Sequence, residues 1–171
     1  MKASAEYPKT DRGGTGVAFG PVSAALIRVA RAHRTVAGQL MSEVGLKPDQ
    51  AALMMHLWEV GAVRQTALSA HFSRDSAATT RTVQRLEKAG YLRRRADPTD
   101  RRATLVEPTP AGNALRSQIE ERWRRLETLT TAGLQGAESA AFEMLQMMAD
   151  SLIPEVERLG GIPPGLEFLD E

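Results

Sequence analysis

The sequence predicts a mainly α-helical protein that carries one small β-hairpin. Apolar residues recur at intervals of three and four along most of the chain, and this is the repeat of one helix face. Aromatic residues make up only 5% of the 171 residues, which disfavours a β-sandwich. Two short segments between residues 91 and 107 flank the turn-forming sequence DPTDRR, an arrangement that is typical of a hairpin.

The first predicted helix begins near Phe19 and ends at Gly45, which is a natural stop residue. Such a helix of about 26 residues would be roughly 39 Å long. Because a small domain cannot cover that length, we expect part of its apolar face to meet another subunit. Residues 1–18 show no periodic pattern, and we expect them to form a flexible arm. The apolar positions of this helix are Val22, Leu26, Val29, His33, Val36, Leu40 and Val44.

Three further helices are predicted in close succession. Pro48 suits the first turn of the second helix, which ends at Gly61. A short third helix covers residues 65–72. Asp75 is a natural N-cap for the fourth helix, which stops at Gly90. The fourth helix has an inner face of Thr79, Val83 and Leu86 and an outer stripe of Ala77, Thr80, Arg81, Gln84 and Lys88.

The hairpin follows this fourth helix and precedes another long one. Its predicted strands are Tyr91–Ala96 and Ala103–Glu107. Thr109 is then a predicted N-cap, and Pro110 is the first residue of the fifth helix. The shared apolar face of the fifth helix is formed by Leu115, Ile119, Trp123, Leu126 and Leu129.

A last helix is predicted after the break at Gly133 and Gly136. Pro154 should introduce a kink in it, because proline lacks the N–H that a helix interior needs. The sequence GGIPPG then begins residues 160–171, which we expect to form a loose tail. The apolar face of the last helix is formed by Phe142, Leu145, Met148, Leu152, Val156 and Leu159.

Positive charge is concentrated in the middle of the chain. Residues 64–102 contain ten Lys or Arg and four Asp or Glu, a net charge of +6. The rest of the chain has 12 basic and 17 acidic residues, a net charge of −5. A basic block within an otherwise acidic protein indicates a module that binds a polyanion. On charge alone, a solvated surface is an equally acceptable interpretation.

Several classes of site are excluded or disfavoured. The chain has no cysteine, which excludes disulfides, thiolate metal sites and cysteine catalysis. No apolar run is long enough to span a membrane and the N-terminus lacks a signal peptide, so we expect a cytoplasmic protein without a membrane partner. No pair among His33, His56 and His71 has the close helical spacing of metal ligands. We therefore predict no metal, no cofactor and no catalytic residues.

The predicted elements follow the order of a winged helix-turn-helix, a fold that binds DNA. They are a short helix, a tight turn, a second helix and a hairpin with arginines at its tip. Small and hydrogen-bonding residues on the outer stripe would let the fourth helix approach the major groove closely. We expect the arginines of the hairpin tip to enter the minor groove, with Asp100 holding one of them by a bidentate pair. The candidate DNA-binding residues are Ser76, Ala77, Thr80, Arg81, Gln84, Arg85, Arg94, Arg95, Asp100, Arg101 and Arg102.

Four motifs in this order together resemble the MarR family of multiple antibiotic resistance regulators. They are LKPDQ at residues 46–50, RLEKAG at residues 85–90, the wing sequence DPTDRRATLVE at residues 97–107, and TPAG at residues 109–112. The Asp-Arg-Arg tip of the wing is the most specific of them. The resemblance covers residues 19–159, most of the chain.

The resemblance implies a homodimer that binds a pseudo-palindromic operator in double-stranded DNA, usually as a repressor. It places a winged helix-turn-helix lobe at residues 48–108 and dimerisation helices at residues 19–45 and 109–159. It also implies release from DNA when a small phenolic or anionic effector enters the cleft between these parts. Candidate residues of that cleft are Arg28, Arg31, His33, His56 and Trp58. The alternative for the two arginines is an ordinary position on the surface. The alternative for Trp58 is packing in the core or in the dimer interface.

Two classes of function remain open on the sequence. The first is a ligand-responsive repressor that binds DNA. The second is a winged-helix protein that has lost operator binding and acts through protein contacts, although the intact arginines of the wing argue against it. An enzyme has no supporting constellation of residues.

Overall fold

The computed structural model describes residues 20–72, 76–100 and 102–159. Within these ranges the chain forms seven helices and a three-stranded antiparallel sheet, which confirms the expected fold class. The predicted arm at residues 1–18 and the predicted tail at residues 160–171 lie outside the described residues. The elements are α1 (Pro21–Ser42), α2 (Pro48–Val60), β1 (Val63–Arg64), α3 (Gln65–His71), α4 (Ser76–Lys88), β2 (Leu92–Ala96), β3 (Thr104–Pro108), α5 (Pro110–Ala114), α6 (Arg116–Thr131) and α7 (Glu138–Arg158).

Helix α1 is shorter than predicted and only its C-terminal part enters the core. Pro21 occupies the first turn, where the missing N–H of proline costs no hydrogen bond. Near the other end, Leu40 and Met41 are buried. Val22 and Val29, on the same predicted apolar face, are 44% and 54% exposed. The apolar face of α1 is therefore longer than the core of one chain can cover.

The helix-turn-helix follows the sequence pattern closely. α2 and α4 agree with the predicted helices to within one residue at the ends that the structure describes. The predicted inner face of α4 is confirmed, since Thr79, Val83 and Leu86 are all buried. The expected N-cap, Asp75, lies outside the described residues.

The sheet contains one strand that the sequence pattern did not predict. The strand order is β1-β3-β2, and all pairs are antiparallel. The unpredicted β1 is only two residues long, too short for any alternation to be visible, and its Arg64 pairs with Leu105. The predicted strands are confirmed with small changes, because β2 begins one residue later than predicted and β3 is shifted by one residue. Leu92 lies opposite Pro108 and Ala96 opposite Thr104.

The predicted fifth helix is wrong as a single element, because it divides at Leu115 into α5 and α6. At this point the N–H of Leu115 donates to the carbonyl of Gly112, three residues back, and so forms a tighter turn than an α-helix. The beginning of α5 agrees with the sequence, because the Thr109 hydroxyl caps it by accepting from the N–H of Gly112.

Helix α7 follows the predicted break at Gly133 and Gly136. Its predicted apolar face is mostly exposed in the single chain, with Phe142 62% and Leu145 53% exposed. Leu129 of α6 is 54% exposed in the same way. The helix continues through Pro154 to Arg158, and the predicted kink stays a prediction. Among the described helices, none is both long and apolar enough to cross a membrane.

A tight joint connects α5 to the end of the helix-turn-helix. The Thr109 hydroxyl donates to the carbonyl of Gly90 over 2.6 Å, and the Thr109 N–H donates to the carbonyl of Tyr91 over 3.0 Å. A Cβ atom added to Gly112 would lie 2.1 Å from that same Tyr91 carbonyl oxygen. Only glycine therefore fits at position 112 without displacement of backbone.

We predict that Gly112→Ala lowers the free energy of unfolding by about 1–3 kcal/mol, the usual cost of overpacking a close contact. Gly133→Ala is the matched control, because a Cβ atom there meets nothing within 4 Å. Urea unfolding at one fixed protein concentration measures both variants. Equal stability of the two variants would contradict the close approach of α5 to Tyr91.

Candidate nucleic-acid interface

The outward side of α4 presents most of the predicted recognition residues. Ala77, Arg81, Gln84 and Arg85 are exposed, and Thr80 is half-buried. Ser76 is the first residue of the helix, and its side chain lies outside the described part of the structure. Since the opposite side of α4 is buried, these side chains project from the lobe on a helix whose orientation is held by the core.

Two side-chain hydrogen bonds hold α4 against the helices before it. The buried Thr82 hydroxyl donates to the Asp49 carboxylate over 3.1 Å, which connects α4 to the first turn of α2. The Gln65 amide, at the start of α3, donates to the Thr80 hydroxyl over 2.9 Å. Gln65 is not among the residues that the sequence predicts for this interface. Nothing in its local pattern distinguishes it from an ordinary polar residue at a helix start.

The wing is anchored at its base by a buried carboxylate. Asp97 is only 7% exposed and accepts hydrogen bonds from the hydroxyl and the N–H of Thr99, at 2.7 and 2.9 Å. The guanidinium of Arg64 donates to the same carboxylate over 2.9 Å. The hydrogen bonds from Thr99, with a smaller contribution from Arg64, lower the pKa of Asp97 from its ordinary 3.8 to about 2. The carboxylate is therefore held in its charged form.

Asp100 contacts a main-chain N–H and Arg64 among the described residues, and its predicted pair with Arg101 stays a prediction. One of its carboxylate oxygens accepts from the main-chain N–H of Arg102 over 3.0 Å, and the other lies 3.9 Å from the guanidinium of Arg64. Asp100 thus shapes the backbone of the turn rather than forming a side-chain fork with Arg102, whose side chain is exposed. Arg101 lies outside the described residues. Arg64, which the sequence marks only as one charge of the basic block, contacts the carboxylates of both Asp97 and Asp100.

The arginines of β2 are engaged in ion pairs within the lobe. Arg93 and Arg95 both pair with Glu107 on the neighbouring strand β3, at 2.6 and 2.8 Å. These two guanidinium groups, Arg95 more than Arg93, lower the pKa of Glu107 below its usual range. Arg94 is half-buried and lies 3.6 Å from Glu87 of α4. The predicted DNA binding by Arg94 and Arg95 stays a prediction. In the free chain, Arg95 pairs across the sheet and Arg94 pairs with α4.

The candidate cleft residues lie on two helices and have different neighbours. Arg28 and Arg31 are exposed on α1, and His33 on the same helix is half-buried. His56 of α2 stacks on His71 of α3, with ring centroids 3.7 Å apart. Trp58 of α2 instead contacts α5 and α6.

Trp58 connects α2 to the two helices that follow the wing. Its indole N–H donates to the side-chain oxygen of Asn113 in α5 over 3.1 Å. The guanidinium of Arg116, the first residue of α6, lies 6.0 Å from its ring centroid. Nearby in sequence on α6, Trp123 has a buried indole nitrogen without a hydrogen-bond partner among the described residues.

The His56–His71 stack belongs to no cluster of three metal-ligating side chains in the described ranges.

Comparison with known proteins relates the helix-turn-helix and the wing to the family that the sequence motifs resemble. The family model described as MarR family matches residues 46–104. The uncharacterised HTH-type transcriptional regulator YdgJ of Bacillus subtilis (strain 168) is 34% identical over 83 residues, which are 48% of this chain and 49% of that protein. This chain therefore matches about half the length of that curated relative.

Solved structures extend the likeness to most of the chain. BpsR of Bordetella bronchiseptica, whose DNA binding is described as regulated by 6-hydroxynicotinic acid, has a TM-score of 0.65 at 27% identity. The likeness covers 75% of this chain and 98% of BpsR. A mutant MarR of E. coli complexed with operator DNA has a TM-score of 0.69 at 22% identity, and the likeness covers 80% and 99% of the two chains. At that identity, the second likeness shows the fold alone.

We predict that the stabilising effect of the Asp97 charge disappears in acid. Because the pKa of Asp97 is lower in the folded chain than its ordinary 3.8, this contribution is complete above about pH 4 and is lost as the pH falls towards 2. Asp97→Asn should therefore be less stable than the unmodified chain at pH 7, with a difference that shrinks between pH 4 and pH 2. Urea unfolding across that range measures it.

Asp150→Asn is the matched control for this experiment, because it removes one carboxylate from the exposed side of α7. We expect it to change the free energy of unfolding little at any of these pH values. A stability difference for Asp97→Asn that stays constant from pH 7 to pH 2 would contradict the charged anchor at the base of the wing.

Proposed function

We propose that the chain, whose residues 46–104 match the MarR family model, is a DNA-binding transcriptional regulator that represses by occupying a pseudo-palindromic operator as a homodimer. We propose further that a small phenolic or anionic ligand releases it from DNA. The observation that carries the proposal is the side of α4 opposite its buried face, where Thr80, Arg81 and Gln84 project together.

The chemistry of this surface suits the major groove. Arginine and glutamine can each form two hydrogen bonds with a base edge, arginine with guanine and glutamine with adenine. Ala77, at the N-terminal end of the exposed stripe, has only a methyl group and lets the helix backbone come close to the bases. The inner residues of α4 are packed into the core, so the helix presents these groups without reorganisation.

The wing supplies a second contact with the same DNA. Arg102 is exposed on the turn between β2 and β3, and the main chain at this position is held by the Asp100 carboxylate. An arginine in this position can enter a narrow minor groove or bind its phosphates. The net charge of +6 over residues 64–102 favours approach to DNA of any sequence.

The exposed apolar residues of the outer helices support the homodimer. Val22 and Val29 of α1, Leu129 of α6 and Phe142 and Leu145 of α7 are all more than two-fifths exposed in the single chain. Such an extended apolar surface is unusual for a soluble monomer and is typical of a permanent interface. A two-fold dimer presents two copies of α4 to successive turns of the DNA, which accounts for a pseudo-palindromic operator.

The ligand part of the proposal is supported by the contacts of Trp58. This side chain, with Asn113 and Arg116, lies where the DNA-binding lobe meets α5 and α6. An aromatic ring beside a guanidinium group suits a flat anionic ligand, and the likeness to BpsR makes such regulation a natural expectation. A ligand bound there would contact the lobe and the dimerisation helices at once. The role of Arg28, Arg31, His33 and His56 stays a prediction.

We predict that Arg81→Ala and Gln84→Ala each weaken binding to the specific DNA site by roughly 5- to 150-fold, the range for loss of one good base contact. The site is first enriched from randomised DNA with the unmodified chain, and affinities are then measured by fluorescence anisotropy. Binding to DNA of random sequence should suffer less. Arg124→Ala, an exposed arginine of α6, is the matched control for the loss of one positive charge.

Equal loss on specific and random DNA for both variants would contradict base reading by α4. A chain that binds no DNA at all at low salt would overturn the proposed function and favour a winged-helix protein that acts through protein contacts.

We predict that the unmodified chain is a dimer at micromolar concentration, with a shared interface of well over ~2,000 Å² as in obligate dimers. Phe142→Asp should raise the dissociation constant of the dimer, because it would place a charge in that apolar interface. Ser151→Asp, which adds the same charge on the opposite side of α7, is the matched control. Light scattering over a dilution series measures all three, and a folded monomer for the unmodified chain would contradict the dimer.

A further inference from the structure

We propose that Gln65 determines which base α4 prefers, by fixing the hydrogen-bonding direction of the Thr80 hydroxyl. The inference rests on the proposed binding of DNA and extends it to a residue of α3 that precedes the recognition helix. Base selection would then depend on two side chains together, Gln65 of α3 and Thr80 of α4.

The contact itself is direct. The Gln65 amide nitrogen donates to the Thr80 hydroxyl oxygen over 2.9 Å, and both side chains are half-buried. Thr80 lies on the outer stripe of α4 between Ala77 and Arg81, so its hydroxyl is at the edge where the lobe would meet the groove. Gln65, on α3, approaches that hydroxyl from within the lobe and not from the side that would face the groove.

The chemistry follows from the capacity of a hydroxyl group. A threonine hydroxyl has one hydrogen to donate and two lone pairs that accept. With the N–H of Gln65 already bonded to one lone pair, the hydroxyl hydrogen cannot point back towards the amide and is available to the groove. Thr80 then favours an acceptor on the base edge, such as guanine O6 and N7 or thymine O4, over the donor groups of cytosine N4 and adenine N6.

The position of Gln65 is set by its neighbours on both sides. Arg64 immediately before it is paired with Leu105 in the sheet and with Asp97 at the base of the wing. Leu68, one turn after it on α3, is fully buried in the core. The backbone of Gln65 is therefore fixed by the sheet on one side and by the core on the other. Its side chain is thereby placed within hydrogen-bond distance of Thr80.

The test uses base preferences, because these separate a specificity role from a merely structural one. Binding sites are enriched from randomised DNA with the full-length chain and with Gln65→Met, Gln65→Glu and Thr80→Val, and the preference at each base pair is compared. Gln118→Met, at an exposed position of α6, is the matched control. Circular dichroism and thermal unfolding confirm that each variant is folded.

We expect Gln65→Met and Thr80→Val to reduce the preference at the same base pair, by about fivefold for one neutral hydrogen bond. Preferences at the other positions and those of Gln118→Met should be unchanged. Gln65→Glu should shift the preference at that base pair towards adenine or cytosine. A glutamate only accepts, so the Thr80 hydroxyl then donates to it and turns its lone pairs to the groove.

Two results would overturn the inference in distinguishable ways. If the unmodified chain enriches a site and Gln65→Met enriches the same site with unchanged base preferences, Gln65 has no specificity role, whatever the loss of overall affinity. If the unmodified chain enriches no site, the proposed function fails and the inference fails with it.

Discussion

The ion pair between Arg64 and Asp97 is the long-range contact on which the geometry of the proposed DNA-binding lobe depends. It connects the short strand before α3 with the first residue after β2, where the wing leaves the sheet. Asp97 is buried, so removal of Arg64 would leave its carboxylate held by the two hydrogen bonds from Thr99 alone. This ion pair therefore adds to the sheet pairing in fixing the wing beside α3, and Gln65, directly after Arg64, bonds to Thr80 of α4.

Ion pairing also decides which positive charges face outward. Arg93 and Arg95 are drawn to Glu107, whereas no ion pair among the described residues engages Arg81, Arg85 or Arg102. The basic block of the sequence is therefore divided into a part that stabilises the sheet and a part directed to solvent. In the proposed complex, the outward group would supply most of the attraction to phosphates and base edges.

The joint between Tyr91 and α5 connects this lobe to the helices proposed to form the dimer. Thr109 bonds to the carbonyls of Gly90 and Tyr91, and Gly112 allows α5 to lie directly against the same corner. In the proposed dimer, a displacement of α5 would consequently move the end of α4. Because Trp58 contacts Asn113 in α5, a ligand beside Trp58 would act on this same joint.

The sequence by itself determined the features that depend on neighbouring residues. Pro48, Gly61 and Gly90 mark helix ends correctly, and the inner and outer faces of α4 follow from a 3.6-residue repeat. Only the tertiary structure decided the rest, because the partners are distant along the chain. Arg64 and Asp97 are 33 residues apart, Gln65 and Thr80 are 15 apart, and Trp58 and Asn113 are 55 apart. No local pattern predicts such pairs, because the two side chains come close together only when the core has formed.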